Sequence, residues 1–523
     1  MEHLRSLWRA SRALWLTLPV WLPAGGYFLY QADPREALVM AVLLFCIALV
    51  LRRLGAQIRD LLTTTGKTHG SAAFADAGDI ATADLAGRWF GLPGLILGRV
   101  EGRTLRYGGD GHLLTFAPTR SGKGVGCVIP NLLDYRGSTF VLDVKGENHD
   151  VTAAWRRSVG HVHTLAPFDP GKATDRFNPI DFVREGTPYD IDDARLIAEM
   201  LVDTNGLDPN HWDREARTLL AALVLFVVYH RHASRRTLRE VRSLLMRDRD
   251  GFDAVLEAMR QSEHHAVASA AEGFLQKEAK ERSYVVSSAQ SRTELFESPQ
   301  ITAMTADSTF RLDALKATPT TVYLIVPPEY LGVYRPFLRL MTGITLATLL
   351  RQRRREDCPV LFLLDELPAL GYMRPIEEGI GYLAGFGVQL WLFAQDLDQL
   401  EKTYPKARSM IANCAVRQAF NPQDPLTARL LSEMLGVTTV MTTSEGRTAG
   451  LPMSFLAGSF QMGTSYAARP LMTPDEVMRL PKDKQLLFVQ GAQPILAPKI
   501  RYFAWGEWRL RWRARQPRTV TTP

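Results

Sequence analysis

HLLTFAPTRSGKGVGCVIPNLL, residues 112–133, opens with an apolar, β-prone run at 112–117, breaks in a turn of Pro, Ser and Gly, and continues from Lys123 with residues that favour a helix. A strand, a glycine-bearing turn and a helix in that order make a cradle for phosphate. Backbone N–H groups at the helix start point at the anion, and the helix dipole favours its charge. The residues placed to contact a nucleotide are Thr119, Arg120, Ser121, Gly122, Lys123, Gly124 and Val125. The Lys123 ammonium is expected to meet the β- and γ-phosphate oxygens. Two positions depart from the generic pattern G-x-x-x-x-G-K-[ST]: Ala117 replaces its first glycine, and Gly124 replaces the hydroxyl that binds Mg²⁺. The cation must therefore lean on water, on the phosphates and on a carboxylate elsewhere.

That carboxylate stands at the end of VLFLL (360–364), an apolar run that reads as a buried parallel strand and is followed by Asp365 and Glu366. Asp365 is the expected Mg²⁺ ligand, directly or through water, and Glu366 the group that orients and polarises the attacking water. A second strand, 138–144, ends in a segment carrying Asp143, Lys145 and Glu147. A third, 388–394, ends in Gln395-Asp396, where the Gln395 amide is placed to sense the γ-phosphate or align water. Ligands of open α/β sheets bind at the carboxyl ends of the strands, so these motifs share one crevice if their strands are neighbours. The candidate catalytic residues are thus Lys123, Asp365, Glu366 and Gln395.

Around this site the chain has 523 residues, 46% hydrophobic and 22% charged, enough for a sizeable core and incompatible with general disorder. Four cysteines, Cys46, Cys127, Cys358 and Cys414, are far apart and contain no C-x-x-C pair, which argues against a disulfide framework or a structural zinc site. The formal charge is +7, a modest excess that permits a nucleic-acid partner without requiring one. Much of it sits at the C-terminus, where Arg501, Arg509, Arg511, Arg513, Arg515 and Arg518 face one acid, Glu507. Trp505, Trp508 and Trp512 alternate with these arginines. Three readings are open: rings that stack on single-stranded bases, rings that pack on the protein body, or a basic patch for an acidic partner.

At the N-terminus, 13–30 and 37–51 are uncharged apolar runs joined by the short polar link 31–36. Each is slightly short of the roughly 20 residues that span a bilayer core of about 30 Å unless flanking arginines snorkel. Arg5, Arg9 and Arg12 precede the pair and Arg52, Arg53 and Arg59 follow it, so two membrane helices with both ends cytoplasmic are expected. Between the strand-like segments 161–166 and 320–326 lies an interval far longer than an ordinary connection, with helical periodicity at 191–202, 214–230, 237–246, 252–259 and 266–280. It reads as an inserted helical unit, in which the apolar run 219–229 is a core helix rather than a third membrane span. His264-His265 reads as a solvated pair. Residues 438–463 read as a loop or hairpin, and Thr473-Pro474-Asp475-Glu476 as a capping box.

HGSAAFA (69–75), LLTFAPTRSGKGVG (113–126), FVLDVKGEN (140–148), FNPID (177–181), VLFLLDELPALG (360–371), GVQLWLFAQDLDQL (387–400) and RPLMTPDEV (469–477) together resemble the type IV secretion coupling proteins of the TraG class, membrane-anchored ATPases of conjugation. The GKG form of the loop is typical of that class, whereas Val144 stands where it carries a proline. The resemblance implies an α/β RecA-like P-loop NTPase domain (61–183 and 305–500) with an inserted all-α domain (184–304). It also implies a two-helix transmembrane anchor (1–60), leaving a basic Trp/Arg-rich tail (501–523). ATP and Mg²⁺ are the implied cofactors and the bacterial inner membrane the implied location. Implied partners are inner-membrane components of a type IV secretion channel, a relaxase with single-stranded DNA or a protein effector, and further copies in a homo-hexamer. Arg374 and Arg417 are candidate trans-acting arginines, with surface ion pairs as the competing role. Rival readings are an FtsK-like translocase of duplex DNA and a docking receptor that binds nucleotide with little turnover, the latter favoured by Gly124.

Overall fold

Nine strands form one sheet: β1 (His112–Phe116), β2 (Thr139–Leu142), β3 (His161–Leu165), β4 (Thr320–Leu324), β5 (Val360–Leu364), β6 (Val388–Ala394), β7 (Cys414–Ala419), β8 (Lys484–Val489) and β9 (Ile495–Pro498). Their spatial order is β9-β8-β7-β1-β6-β5-β2-β4-β3. The seven strands from β7 to β3 are parallel, and β8 and β9 add an antiparallel edge. The computed structural model describes residues 68–83, 85, 88–89, 92–202, 210–352, 358–447 and 460–513.

The apolar run of β5 follows from the period of two along a strand. Val360, Phe362 and Leu364 enter a core on one face of the sheet, and Leu361 and Leu363 enter a second core on the other. Neither face meets water, so no polar alternation is written into the sequence. Each such side chain contributes about 1.5–3 kcal/mol relative to exposure. Trp391 and Phe393 of β6 join the second core, while Leu390 and Leu392 join the first.

After β1 the chain does not enter a regular helix directly. Gly124–Val128 forms a π-helical turn, and an α-helix, α1 (Ile129–Asp134), follows. Pro130 near its start has no N–H to donate, so the regular ladder is interrupted there. α2 (Glu147–Arg156) starts at Gly146, whose φ of 71° is left-handed and suits a residue without Cβ. Its N-terminus is capped by Asp143, whose Oδ2 accepts from the His149 N–H at 2.8 Å.

Between β3 and β4 the chain is helical: α3 (Asp190–Leu201), α4 (His211–His230), α5 (Leu238–Leu245), α6 (Arg249–Arg260), α7 (His265–Leu275) and α8 (Ala279–Thr293). The expected single helix at 266–280 is thus two, separated around 276–278. Residues 219–228 of α4 are buried within the protein. The insertion shares its apolar core with the sheet through α9 (Leu331–Leu350), where Phe337, Leu340 and Ile344 lie in one cluster with Ile197, Leu220 and Leu364. α3 approaches α9 so closely that a Cβ at Gly343 would lie 2.3 Å from Met200 Sδ. Of the pair read as solvated, His265 is exposed, but His264 is not: its ring meets Tyr229 at a tilt and its Nε2 lies 3.2 Å from Asp190 Oδ2, at the start of α7.

The arginine-rich C-terminal stretch packs on the body as far as it is described. α10 (Gly506–Arg513) buries Trp508 completely beside Ile96, Ile129, Leu133, Ile500 and Tyr502, with Trp512 against the same cluster. Arg511 donates to Asp134 Oδ1 at 2.6 Å, and the Arg99 guanidinium lies 3.8 Å from the centre of the Trp505 ring. The packing reading therefore holds for Trp508, which burial leaves no face for a base, and for Trp512 beside it, whereas Trp505 is exposed apart from its contact with Arg99.

The chain divides into two compact units. Among the described residues, 72–436 with 470–513 hold the sheet, and 68–71 with 437–447 and 460–469 hold the paired strands that begin at Val437 and Phe460. Within the latter, Ser71 bridges Thr438 and Thr439 Oγ1 accepts from the N–H groups of His69 and Gly70. In the sheet unit, the Thr473 N–H donates to Glu476 Oε2 at 2.9 Å, completing the expected capping box. The two apolar runs 13–30 and 37–51 lie outside the described residues. Among the described residues no helix is long and apolar enough to cross a membrane, and Cys127, Cys358 and Cys414 form no disulfide.

Candidate functional site

The phosphate-loop candidate leaves the carboxyl end of β1 between its neighbours β6 and β7. The Ala117 N–H donates to the Ala394 carbonyl at 2.8 Å on one side, and the Phe420 N–H to the Phe116 carbonyl at 2.8 Å on the other. The loop then reverses through two left-handed residues, Arg120 (φ 62°) and Gly122 (φ 94°). No atom lies within 4 Å of where a Cβ on Gly122 would stand, so the glycine there answers the backbone conformation and not crowding. Thr119 and Arg120 are exposed and Ser121 to Val125 half-buried. The Val125 side chain packs on the cluster around Ile129, which leaves its backbone for the loop.

Lys123 reaches across to the end of β5. Its Nζ donates to the Asp365 carbonyl at 2.6 Å and to Glu366 Oε2 at 2.8 Å, and lies 3.5 Å from Asp365 Oδ1. Burial works against the Lys123 charge, but the two carboxylates outweigh it and hold the ammonium above the usual lysine range. Burial pushes the Asp365 carboxyl upward against the pull of Lys123 and the Asn148 amide. Asp365 Oδ1 is buried with no hydrogen-bond partner, as is Ser121 Oγ.

The strand order brings the third predicted group to the same place. β6 lies between β1 and β5, so Gln395 at its end sits between the loop and the acids. Gln395 Nε2 donates to Glu366 Oε1 at 3.2 Å, and its Oε1 accepts from Thr119 Oγ1 at 3.3 Å. Gln399, which the sequence did not single out, adds a contact to Glu366 Oε1 at 3.5 Å and accepts from the Gln395 N–H at 3.2 Å. Lys123, Asp365, Glu366, Gln395 and Thr119 are thus brought together.

The end of β2 supplies the back wall. Asp143 is buried while Lys145 and Glu147 are exposed. Burial, with the nearby Asp365 charge assisting and the His149 N–H opposing, pushes the Asp143 carboxyl up to about 7. Asn148 bridges the two acids, its Nδ2 lying 3.3 Å from Asp143 Oδ1 and 3.3 Å from Asp365 Oδ2. Lys499 holds the loop from the other side, donating to the Ser121 carbonyl at 3.1 Å and to Asn421 Oδ1 at 2.5 Å. Burial lowers its ammonium to about 8. Neither Asn148 nor Lys499 announces itself in sequence, since the first is one polar residue at a helix start and the second a lone lysine after an edge strand. Of the candidate trans-acting arginines, Arg374 is exposed and paired with Glu378 at 3.1 Å, and Arg417 lies in β7.

These residues fit a magnesium nucleotide. Asp365 offers a buried carboxylate oxygen that accepts no hydrogen bond and faces the Lys123 ammonium at 3.5 Å, the hard donor that Mg²⁺ prefers, and the loop offers backbone at the start of a helical segment beside a lysine.

The sequence profile described as Type IV secretory system Conjugative DNA transfer matches residues 74–522. The conjugal transfer protein TraG of Escherichia coli is 31% identical over 505 residues, covering 88% of this chain and 79% of that protein. The protein VirD4 of Rhizobium rhizogenes is 28% identical, covering 83% and 66%. Among solved structures, the plasmid coupling protein TrwB in complex with a non-hydrolysable ATP analogue aligns with a TM-score of 0.62 at 15% identity, covering 82% of this chain and 93% of that one. The same protein with ADP and Mg²⁺ aligns at 0.63 and 16% identity, covering 82% and 94%. The likeness is one of fold: a RecA-type α/β arrangement with a mixed, mainly parallel sheet.

Proposed function

Because this chain belongs to the type IV secretory system conjugative DNA transfer family, we propose that it is a coupling ATPase, which receives a conjugative substrate and uses ATP hydrolysis to pass it to a type IV secretion channel. The observation that carries the reading is the convergence of Lys123, Glu366 and Gln395 at the carboxyl ends of the neighbouring strands β1, β5 and β6. In this reading the backbone from Thr119 to Val125 and the Lys123 ammonium bind the phosphates, and Asp365 would hold Mg²⁺. Glu366, steadied by Gln395 and Gln399, orients the attacking water and draws its proton toward the carboxylate. Mg²⁺, when bound, supplies charge neutralisation on the phosphate oxygens.

The finer assignments rest on the family. They are the domain limits 61–183 with 305–500, 184–304 and 501–523; a two-helix anchor at 1–60 in the inner membrane with both ends cytoplasmic; and a homo-hexamer. The substrate is relaxase-bound single-stranded DNA or a protein effector, handed to inner-membrane channel components. TraG of Escherichia coli carries conjugal transfer in its name, which favours DNA. Mg²⁺-dependent phosphate release from the assembled full chain tests the reading. Turnover at the rate of a Lys123→Ala control would leave a nucleotide-binding docking receptor, the alternative that Gly124 favours.

A further inference from the structure

Gly124 leaves the loop without the hydroxyl that its position carries in the generic phosphate-loop pattern, and the structure puts one side-chain oxygen next to the gap. A Cβ built on Gly124 would have a single neighbour within 4 Å, Asn148 Oδ1 at 3.8 Å. Asn148 enters this space from α2, at the end of β2, and is 3% exposed. Its orientation is set by chemistry. The Nδ2 end of the amide donates to Asp143 Oδ1 and Asp365 Oδ2, each at 3.3 Å, and Asp365, beside the Lys123 ammonium, takes it as an acceptor. The oxygen end is thereby turned toward Gly124, and no donor among the described residues reaches it.

We infer that Asn148 Oδ1 replaces the missing loop hydroxyl as the neutral oxygen facing the Mg²⁺ of the bound nucleotide, a step that rests on the ATPase reading above. Asn148 is then a positioning residue with two ends. Its Nδ2 holds the Asp365 carboxylate in place, and its Oδ1 offers the cation, directly or through one of its waters, the acceptor that Gly124 cannot. An amide suits the place better than a third acid, because Asp143 and Asp365 already repel one another there.

The test is calorimetric binding of a non-hydrolysable ATP analogue to the full-length chain, with Mg²⁺ and with chelator. Asn148→Ala is expected to keep the metal-free affinity and to lose about tenfold of the Mg²⁺-dependent gain, the lower end of what partners of a metal site contribute. Adding Gly124→Ser to Asn148→Ala is expected to restore most of the gain, since a Cβ at 124 meets no clash. Gly124→Ser alone is expected to add little, because the place is already served. An unchanged Mg²⁺-dependent gain in Asn148→Ala, or a tenfold improvement from Gly124→Ser alone, overturns the inference while leaving the ATPase reading standing. Loss of the gain in Ser121→Ala and not in Asn148→Ala overturns it in favour of the other unpartnered oxygen of the loop. Absence of analogue binding in the unsubstituted chain overturns both. Should Asn148→Ala not fold, Gly124→Ser alone still decides the matter.

Discussion

Lys123 Nζ lies 2.8 Å from Glu366 Oε2, so the cation expected at the phosphates and the carboxylate expected at the water are held on each other. The same nitrogen bonds the Asp365 carbonyl, tying the loop after β1 to the end of β5 across the intervening β6. A phosphate competing for Lys123 would release Glu366 to Gln395 and Gln399, which already touch its other oxygen.

Lys123→Ala is therefore expected to weaken ATP binding by about 10- to 100-fold, the worth of a charge-assisted hydrogen bond of about 1.5–3 kcal/mol, and to abolish turnover. Circular dichroism should be unchanged, because the lysine is only half-buried and crosses the mouth of the site. Titration of a fluorescent ATP analogue measures the loss.

Lys499 anchors the loop from behind through the Ser121 carbonyl and Asn421 Oδ1. Lys499→Met keeps much of the buried stem and removes both bonds. The expected outcome is a rise in the nucleotide Kd by about tenfold, with kcat at saturation little changed, since none of the groups acting on water is touched. Steady-state kinetics over a range of ATP concentrations separates the two constants.

Trp508 is fully buried while Leu510, two residues on, is 66% exposed. Trp508→Ala is expected to cost about 3–5 kcal/mol of stability and Leu510→Ala less than about 0.5 kcal/mol. Urea unfolding measures both. A chain ending at Tyr502 should accordingly lose folded yield.

His112 begins β1, is 1% exposed, and accepts the Leu390 N–H on Nδ1 at 3.1 Å. Burial lowers its folded pKa to about 4 from an ordinary 6.5. The folded pKa being depressed, the neutral ring is stable in the fold above pH 6.5, and this contribution is lost as pH falls from 6.5 to 4. Stability should drop over that window by up to about 1.4 kcal/mol per pH unit from this group. His112→Asn, whose Oδ1 accepts the same N–H, should flatten that part of the profile in urea unfolding at stepped pH.

The parts of the site legible in sequence are those written locally. SGK follows a strand and precedes a helix within a dozen residues, and VLFLLDE carries both its burial and its two acids in one run. Gln395 was legible for the same reason, as the first polar group after a buried strand. The illegible parts are contacts between distant positions. Lys499 meets Ser121 across 378 positions and Asn148 meets Asp365 across 217, so no local pattern records either. The helix expected at 266–280 failed where a weak polar junction, Gln276 to Glu278, breaks the run without Gly or Pro to mark it. The tail tryptophans were ambiguous because aromatic rings at helical spacing serve a core or a base equally well. Only the partner surface, Ile96, Ile129 and Leu133, decides it.

In the proposed mechanism Glu366 acts on water while Lys123 and the loop bind the nucleotide, and Glu366→Gln separates the two roles. ATP hydrolysis and analogue binding are measured on the same full-length preparation. Hydrolysis should fall by about 10²–10⁴-fold while the ATP analogue binds as tightly as before or tighter, because Lys123 is freed from its partner carboxylate. A Glu366→Gln chain that hydrolyses ATP at the unsubstituted rate would remove Glu366 from the step on water.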